Sequence, residues 1–317
     1  MPDVITIGEL LIDFVPTVSN VSLIDAPAFK KAPGGAPANV AVGLARLGVA
    51  AGFMGKVGND AFGHFLVGVL KDNLVDVSTI RYADEARTAL AFVSLGPDGE
   101  REFMFYRHPS ADMLFSPVEV DVEYIHAARI FHYGSISLIC EPSKSATLRA
   151  IDAALEAGLL ISYDPNLRQN LWPDAQTARE GIMSSWTKAN VIKVSEEELH
   201  FLSGESDLNL GAEKLWHDRL KLLVVTRGGE GCRYKTPAFF GDVPGFDIDP
   251  VDTTGAGDGF VAGLLRGLLL NPGCWDNQAE IIEICRYANA VGALTTLERG
   301  AIPALPTQGQ VAKLLAE

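Results

Sequence analysis

Short apolar runs alternate with longer amphipathic stretches along most of the chain. The runs occupy residues 4–8, 130–133, 159–163, 191–194 and 222–226. Between them, stretches such as residues 143–157 and 175–188 carry apolar side chains at helical spacing. Buried strands that alternate with helices are typical of βαβ units. The pattern therefore predicts an α/β fold with a mostly parallel central sheet that helices cover on both faces.

One region breaks this rhythm. Residues 88–95 and 101–106 alternate between apolar and polar positions, which predicts two strands. The sequence Gly96-Pro97-Asp98-Gly99 between them contains Asp-Gly, a strong hairpin signal. We therefore predict a small β-sheet lid, contributed by about residues 12–32 and 86–112. The chain shows no internal repeat, low-complexity tract or linker.

The composition narrows the classes of function. With 26 basic and 40 acidic residues, the 317-residue chain has a formal net charge of −14, which disfavours nucleic acid and anionic membranes as partners. Four scattered cysteines and six histidines form no metal signature, and the cysteines are interpreted as reduced thiols. The N-terminal residues lack the segments of a signal peptide, so we expect a cytoplasmic protein. We predict a single domain over residues 1–317.

The sequence Asp252-Thr-Thr-Gly-Ala-Gly-Asp258 stands directly before a helical apolar pattern. That pattern consists of Val261, Leu264, Leu265, Leu268 and Leu269. A small-residue turn at a helix N-terminus presents unpaired N–H groups and the positive end of the helix dipole, and phosphate is the natural ligand there. Asp258 would repel a phosphate that only bound, but it suits a general base for a nucleophile attacking that phosphate. A Gly-rich loop with an ordinary helix N-terminal aspartate is the alternative.

Two further stretches have the composition of a ligand crevice. Gly34 and Gly35 let the backbone approach a ligand without a Cβ in the way. Asn39 could cap the following helix or reach a ligand hydroxyl. Asp13 lies past the first predicted strand, where a carboxylate faces the crevice of a parallel sheet. A solvated aspartate in a connecting strand is the alternative for Asp13.

Polar clusters follow three of the later apolar runs. They are Asp164-Pro-Asn-Leu-Arg168, Ser195-Glu-Glu-Glu198 and Thr226-Arg-Gly-Gly-Glu-Gly231. Open α/β sheets bind ligands at the carboxyl ends of their strands, so clusters at successive strand ends indicate a binding site. Taken singly, the acidic triplet also fits a solvated helical turn and the Gly-rich segment a hairpin loop. Arg107, which ends the predicted lid hairpin, is either a solvated edge charge or a ligand contact.

These motifs together resemble the ribokinase-like carbohydrate kinases, the PfkB family, and within it the fructokinases of bacterial and plant type. The family's first signature resembles Pro33-Gly-Gly-Ala-Pro-Ala-Asn39 with Gly55, Gly58 and Gly63, and its second resembles residues 252–258. Fructokinase-like segments are residues 8–14, 102–107, 164–168, 288–294 and 299–303. The resemblance runs nearly end to end and implies a ribokinase-like three-layer α/β/α sandwich with a small β-sheet lid.

The resemblance also implies roles for individual residues. Asp258 is similar to the catalytic base, with Gly255, Ala256 and Gly257 as the anion hole and Arg168 near the phosphoryl group. Asp13, Gly34, Gly35, Asn39 and Arg107 resemble substrate-binding residues. Ser195, Thr226, Gly228, Gly229, Gly231 and Asn289 resemble the nucleotide site. Glu198 matches a glutamate that organises Mg²⁺ through water, although Ser195 replaces the family's asparagine there. Asp252 and Thr254 resemble a K⁺ site.

The activity implied by this resemblance is ATP-dependent transfer of a phosphoryl group to fructose, giving fructose 6-phosphate, with ATP, Mg²⁺ and K⁺ as cofactors and a homodimer formed through the lid. A kinase for another sugar or sugar acid, such as 2-keto-3-deoxygluconate, is the alternative within this class, because Arg107 and Arg168 could bind a carboxylate. A catalytically inactive regulatory relative is the alternative outside the class. The intact Asp258 and Gly-Ala-Gly turn argue against it.

Overall fold

The computed structural model describes residues 1–18, 21–95 and 101–317, so the predicted turn at residues 96–99 lies outside the described residues. The strands are β1 (Val4–Ile7), β2 (Leu11–Pro16), β3 (Phe29–Gly34), β4 (Ala51–Gly58), β5 (Ile80–Ala83), β6 (Leu90–Leu95), β7 (Arg101–Tyr106), β8 (Ile130–Gly134), β9 (Leu160–Asp164), β10 (Val191–Ser195), β11 (Leu222–Thr226), β12 (Cys232–Lys235) and β13 (Phe240–Val243).

The helices follow most of the strands in the chain, as the alternating pattern predicts. They are α1 (Ala36–Arg46), α2 (Ala61–Asp72), α3 (Val122–His126), α4 (Ser143–Glu156), α5 (Ala175–Met183), α6 (Glu196–Ser203), α7 (Leu208–Leu215), α8 (Ala256–Leu270), α9 (Gln278–Thr295), α10 (Ala301–Ala304) and α11 (Gln308–Ala316). Within the described ranges, no helix is both long enough and apolar enough to span a membrane.

The main sheet has nine strands in the order β13-β12-β11-β10-β9-β8-β1-β4-β5. Its pairs from β11 to β5 are parallel, and the β12–β13 hairpin adds two antiparallel strands at one edge. Alternate residues of one strand reach opposite faces, because successive side chains of a strand point in opposite directions. Leu222 and Val224 join one apolar cluster, whereas Leu223 and Val225 join the other. The predicted mostly parallel sheet with helices on both faces is confirmed.

A second sheet, the lid sheet, is hydrogen-bonded separately from the main sheet, although Ile12 of β2 joins one of the apolar clusters. Its order is β3-β2-β6-β7, with β2 antiparallel to β3, parallel to β6, and β6 antiparallel to β7. The rings of Phe14 and Phe92 stack 4.9 Å apart between β2 and β6. The strands of this sheet come from the two regions predicted for the lid. That residues 1–317 form a single domain remains a prediction.

Candidate active site

A cavity of about 520 Å³ lies among the carboxyl ends of the main-sheet strands, the lid sheet and the N-terminus of α8. The strand order reverses at β1, between β4 and β8, and open α/β sheets bind their ligands at such a reversal. Many of the predicted catalytic, sugar-binding and cation-site residues line this cavity. They are Asp13, Gly35, Asn39, Arg168, Asp252, Thr254, Gly255, Gly257 and Asp258.

The turn that begins α8 presents backbone donors to the cavity. Gly255 has φ +81°, and a Cβ there would lie 2.5 Å from the Cβ of Ala301, so the turn requires glycine. The N–H of Ala256 donates to the preceding turn over 3.3 Å. The N–H groups of Gly257 and Asp258 have no acceptor in the described part of the chain. With the helix dipole behind them, these groups are placed to bind an anion, and residues 255–258 are called the anion turn below.

Asp258 occupies the first turn of α8 and is buried. The side-chain amide of Asn39 donates to its Oδ2 over 2.7 Å, and the amide of Asn166 donates to its Oδ1 over 3.2 Å. Burial raises the pKa of Asp258, and the Asn39 hydrogen bond and the charges of Lys193 and Arg168 oppose that shift. Two amides thus fix a carboxylate whose basicity exceeds that of an ordinary aspartate.

The glycine pair of the first signature packs closely against its neighbours. A Cβ at Gly34 would lie 2.1 Å from Oδ2 of Asp13, because β3 pairs with β2 at this point. Gly35 has φ +112°, and a Cβ there would lie 2.3 Å from the carbonyl oxygen of Glu9. Gly34 therefore leaves room for the Asp13 carboxylate at the cavity, and Gly35 lets the chain pass close to the backbone of Glu9.

Asp13 and Asn39 give this end of the cavity its hydrogen-bonding groups. Burial raises the pKa of Asp13 to about 7; Arg168 opposes the shift, while Asp258 and Asp252 reinforce it. The Oδ1 atom of Asn39 is buried without a hydrogen-bond partner among the described residues. Such an acceptor is costly unless a ligand completes it. The arrangement suits a ligand rich in hydroxyl groups.

The loop before α8 is tied down by Asp252. Its Oδ1 accepts hydrogen bonds from the N–H and hydroxyl of Thr254 over 2.9 Å and 2.7 Å, and its Oδ2 accepts from the N–H of Gly300 over 2.9 Å. The carboxylate therefore joins the anion turn to the start of α10. The residues predicted for a K⁺ site are together, and their shared contacts order the turn.

The predicted nucleotide residues lie beside the cavity, beyond its wall. Ser195 ends β10 and Thr226 ends the adjacent β11, as the strand-end pattern predicts. Gly228 and Gly229 follow in an exposed turn, and a Cβ at either would meet no atom within 4 Å. This surface leaves room for a planar ligand to approach the backbone.

Gly231 and Asn289 have internal contacts that account for their identities. Gly231 has φ +91°, and a Cβ there would lie 2.2 Å from the carbonyl oxygen of Val243. The amide of Asn289 donates to the carbonyls of Val243 and Pro244 over 3.1 Å and 3.0 Å. Both residues hold the end of β13 next to the exposed turn. Their roles in nucleotide binding remain predictions.

Glu198 is buried in the first turn of α6. Its carboxylate accepts hydrogen bonds from the N–H groups of Ser195 over 2.7 Å and Leu167 over 2.6 Å. It therefore links the ends of β9 and β10. In the described ranges, no group of three or more His, Cys, Asp or Glu side chains is arranged to hold a metal ion. The metal-related role of Glu198 stays a prediction.

Arg107 lies outside the wall of the cavity. It is buried and forms an ion pair with Asp112, whose other oxygen accepts a hydrogen bond from Ser110 over 2.5 Å. Arg107 is therefore not a solvated charge at the sheet edge, and its side chain is not part of the cavity wall. Its charge opposes the burial that raises the pKa of Glu9 to about 7. Direct substrate binding by Arg107 therefore stays a prediction that this geometry does not support.

The sequence analysis assigned no individual role to three residues of the site. Lys193, in the middle of β10, is buried and donates to both carboxylate oxygens of Asp164 over 3.2 and 3.3 Å. Asn166, with φ +45°, contacts Asp258. Glu9 accepts a hydrogen bond from the N–H of Ala36 over 2.9 Å. The available signal was a lysine inside an apolar strand, since a buried charge requires a partner.

Residues 1–308 match the family model described as pfkB family carbohydrate kinase. The chain is 57% identical over 313 residues to a protein of Arabidopsis thaliana named probable fructokinase-4, covering 98% of this chain and 96% of that relative. A sequence identity of 57% over almost the whole chain shows that the two proteins share a fold and a family.

Two solved structures are similar over nearly their whole length. A fructokinase from Xylella fastidiosa with bound ATP has a TM-score of 0.90 and 35% sequence identity to this chain. The match covers 100% of this chain and 99% of the Xylella fastidiosa chain. A fructokinase from Vibrio cholerae O395 in a fructose-, ADP- and calcium-bound form has a TM-score of 0.89 and 36% identity, and covers 99% of both chains. With the anion turn and its buried aspartate, these matches show that the chain belongs to the pfkB family of carbohydrate kinases.

Proposed function

We propose that the protein transfers the γ-phosphoryl group of ATP to the 6-hydroxyl of D-fructose, giving fructose 6-phosphate and ADP. The observation that carries the proposal is the position of Asp258. Its buried carboxylate stands beside the unpaired N–H groups of the α8 turn, on the wall of a cavity lined by hydroxyl-binding groups. A base for the attacking hydroxyl and an anion site for the transferred group thus lie side by side.

In the proposed reaction, Asp258 takes the proton of the 6-hydroxyl as its oxygen attacks the γ-phosphorus. The raised pKa of Asp258 makes it a better proton acceptor than an ordinary aspartate, while Asn39 and Asn166 keep it oriented. The N–H groups of the turn and the half-buried Arg168 stabilise negative charge on the transferring group. The lid sheet limits access of water, which would otherwise accept the phosphoryl group.

Sugar recognition is assigned to Asp13, Asn39 and the backbone at Gly34 and Gly35. Asp13 accepts hydrogen bonds from substrate hydroxyls, and the unpartnered Oδ1 of Asn39 accepts another. The Vibrio cholerae relative, which binds fructose in its solved structure, supports the choice of sugar.

ATP is assigned to the exposed surface beside the cavity, where Ser195, Thr226, Gly228 and Gly229 follow neighbouring strands. The empty space over the two glycines supports this assignment, as does the ATP-bound relative from Xylella fastidiosa. Gly231 and Asn289 support the same surface from behind.

A divalent and a monovalent cation complete the proposal. Glu198 and the ATP phosphates offer oxygen atoms, the ligands that Mg²⁺ prefers, and Glu198 would hold the ion through water. Asp252 and Thr254 offer oxygen atoms next to the anion turn, which suits K⁺. When bound, the divalent ion supplies positive charge against the phosphate oxygens. Calcium in the Vibrio cholerae relative supports a divalent site.

We also propose that the lid sheets of two copies meet in a homodimer. Met104 and Tyr106 on the edge strand β7 are 42% and 55% exposed, respectively, and edge strands readily pair with another chain. Sedimentation of the parent and of Tyr106→Glu tests this: a dimer that the variant disrupts supports it, and a monomeric parent rejects it.

The competing sugar-acid substrate has less support in this structure. A kinase for 2-keto-3-deoxygluconate would need a cation for the substrate carboxylate. Arg107 lies off the wall and pairs with Asp112. Of the cations on the wall, Arg168 is assigned to the phosphoryl group, Lys193 pairs with Asp164, and Arg299 has internal contacts of its own. A neutral sugar leaves no buried charge unpaired.

A coupled ADP-release assay tests the proposal. We expect ADP release with fructose, much less with 2-keto-3-deoxygluconate, and very little with ATP alone. Phosphorylation of the sugar acid in preference to fructose would reject the substrate. ATP consumption that no sugar stimulates would reject the whole assignment.

A further inference from the structure

Lys193 is a buried cation in the wall of the cavity. It occupies the interior strand β10, and its side chain is 8% exposed, while that of its partner Asp164 is 4% exposed. Burial acts to lower the pKa of Lys193, but the carboxylates of Asp164, Glu198 and Asp258 outweigh it and raise the pKa. The side chain therefore stays protonated at neutral pH.

Its ammonium group lies against the anion turn of α8. A Cβ at Gly257 would lie 3.1 Å from Nζ of Lys193, so the absence of a side chain at Gly257 lets the cation approach the turn. The unpaired N–H of Gly257 belongs to the same turn. Backbone donors and a full positive charge thus meet at one point of the cavity.

The hydrogen bonds of Lys193 leave it capacity for a ligand. An ammonium group has three N–H donors. Asp164 accepts at most two of them, over 3.2 and 3.3 Å, and Lys193 has no other hydrogen-bond acceptor in the described residues. Apolar side chains of similar size often stabilise a core as well as a buried ion pair does. Stability alone therefore does not explain a lysine–aspartate pair at this position.

We propose that Lys193 is a catalytic residue that donates a hydrogen bond to the transferring phosphoryl group, an inference that rests on the proposed function. Asp164 is the positioning residue that holds the ammonium group of Lys193 at the Gly257 turn. During transfer, the bond from the sugar oxygen to the γ-phosphorus forms and the bond from the γ-phosphorus to the bridging oxygen of ADP breaks. The sugar proton goes to Asp258. Lys193 keeps its proton and stabilises charge on the moving group.

The first test is Lys193→Met, which removes the charge and keeps the length of the side chain. Loss of one preorganised donor at a transition state costs about 10²–10³-fold in kcat, and we expect a loss of that size with fructose affinity retained. The matched control is Lys188→Met, which removes a partly exposed lysine paired with Asp152 away from the cavity, and it should turn over like the parent. A folded Lys193→Met with the kcat of the control overturns the proposal.

A second readout separates a contact with the phosphoryl group from a structural role. Calorimetry should show that Lys193→Met binds ADP like the parent but has lost affinity for a non-hydrolysable ATP analogue, because ADP lacks the group that Lys193 contacts. Equal losses for both nucleotides would make Lys193 a structural residue and reject the proposal. This comparison needs no turnover, so it stands even if fructose proves not to be the substrate of the parent.

A third readout separates Lys193 from an indirect effect on the base. Lys193 also lowers the pKa of Asp258, so its loss should move the acid limb of the kcat profile to higher pH. If that were its whole role, kcat would recover fully at alkaline pH. We expect the deficit to persist on the alkaline plateau, and full recovery there overturns the proposal.

A substitution of Asp164 allows the proposal to be tested even if Lys193→Met does not fold. If Lys193→Met is unstable because it leaves Asp164 unpaired, the double variant with Asp164→Asn removes that charge and should fold. The double variant should keep the deficit in kcat and in analogue binding. Asp164→Asn alone retains the cation, so it should lose less activity than Lys193→Met. Parental turnover by a folded double variant rejects the proposal.

Discussion

The sugar end and the nucleotide end of the site differ in how far the protein completes them before any ligand binds. At the sugar end, Asp258 is buried between two amides, and Asp13 faces the cavity because Gly34 leaves it room. At the nucleotide end, Gly228 and Gly229 form an exposed turn with empty space above them.

This difference follows from what each ligand demands. A neutral sugar is recognised by hydrogen bonds whose donors and acceptors must be placed in advance, because unpaired buried groups are costly. A nucleotide can dock on an open surface and be fixed at its phosphates by N–H groups and cations. Substitutions at the sugar end should therefore impair sugar binding or turnover, whereas those at the exposed turn should affect nucleotide kinetics alone.

The largest loss of kcat is expected from substitution of Asp258, which lies between the sugar end and the anion turn. Asp258→Asn keeps the shape of the side chain and removes its basicity, so kcat should fall by about 10²–10⁴-fold, the usual contribution of a general base. The melting temperature should stay close to that of the parent. Near-parental turnover by a well-folded variant would remove Asp258 from the role of base.

Gly257→Val should disable the anion turn while sparing the sugar end. The new side chain would crowd Lys193, whose Nζ lies 3.1 Å from the Cβ position, and would shield the backbone donors. We expect a loss of about 10²–10³-fold in kcat, comparable to the loss of an oxyanion donor. Fructose binding measured by calorimetry should persist. Loss of fructose binding with ATP use preserved would show that the anion site has been misplaced.

Asp13→Ala should act on the sugar alone. A hydrogen bond to a charged group contributes about 1.5–3 kcal/mol, so losing one should raise the KM for fructose by about 10–150-fold. The KM for ATP should change little. An unchanged KM for fructose would identify Asp13 as a wall residue without a role in binding.

The pH dependence should come from the sugar end. Asp13 and Asp258 act as carboxylates, so each loses its function when protonated. Because burial raises the pKa of Asp13 to about 7 and raises that of Asp258 as well, kcat/KM for fructose should fall as the pH drops below about 7. An ordinary aspartate would place this limb near pH 4. A parent profile that stays flat down to about pH 5 would contradict the raised pKa values.

Gly229→Ala should have the smallest effect. A Cβ there meets no protein atom within 4 Å, so stability and fructose binding should match the parent. If ATP covers this turn, the KM for ATP should rise by a few-fold. A KM for ATP equal to that of the parent would move the nucleotide away from Gly229.

Local patterns predicted the fold well because they report directly on burial. Apolar runs gave the strands, and polar clusters at their carboxyl ends pointed to the cavity. The anion turn was also predictable, since Gly255 requires a positive φ that is visible as a glycine in a short motif. In each case the physical cause lies within a few residues of the signal.

Contacts between side chains that are far apart in the sequence could not be predicted. Asn166 and Asp258 are 92 positions apart, and Lys193 and Asp164 are 29 apart, so no local pattern announces either contact. Arg107 was placed at the end of a hairpin correctly, but its partner Asp112 took it off the cavity wall. The identity of a charged side chain is local information, whereas its partner depends on the fold.

The most direct test of the central claim is an internal competition. The parent is given limiting ATP with equal concentrations of fructose and 2-keto-3-deoxygluconate, and the phosphorylated products are identified and quantified by NMR. The product ratio equals the ratio of the two kcat/KM values. The account predicts that fructose 6-phosphate dominates. A predominance of the phosphorylated sugar acid, or of fructose phosphorylated at another hydroxyl, would contradict it.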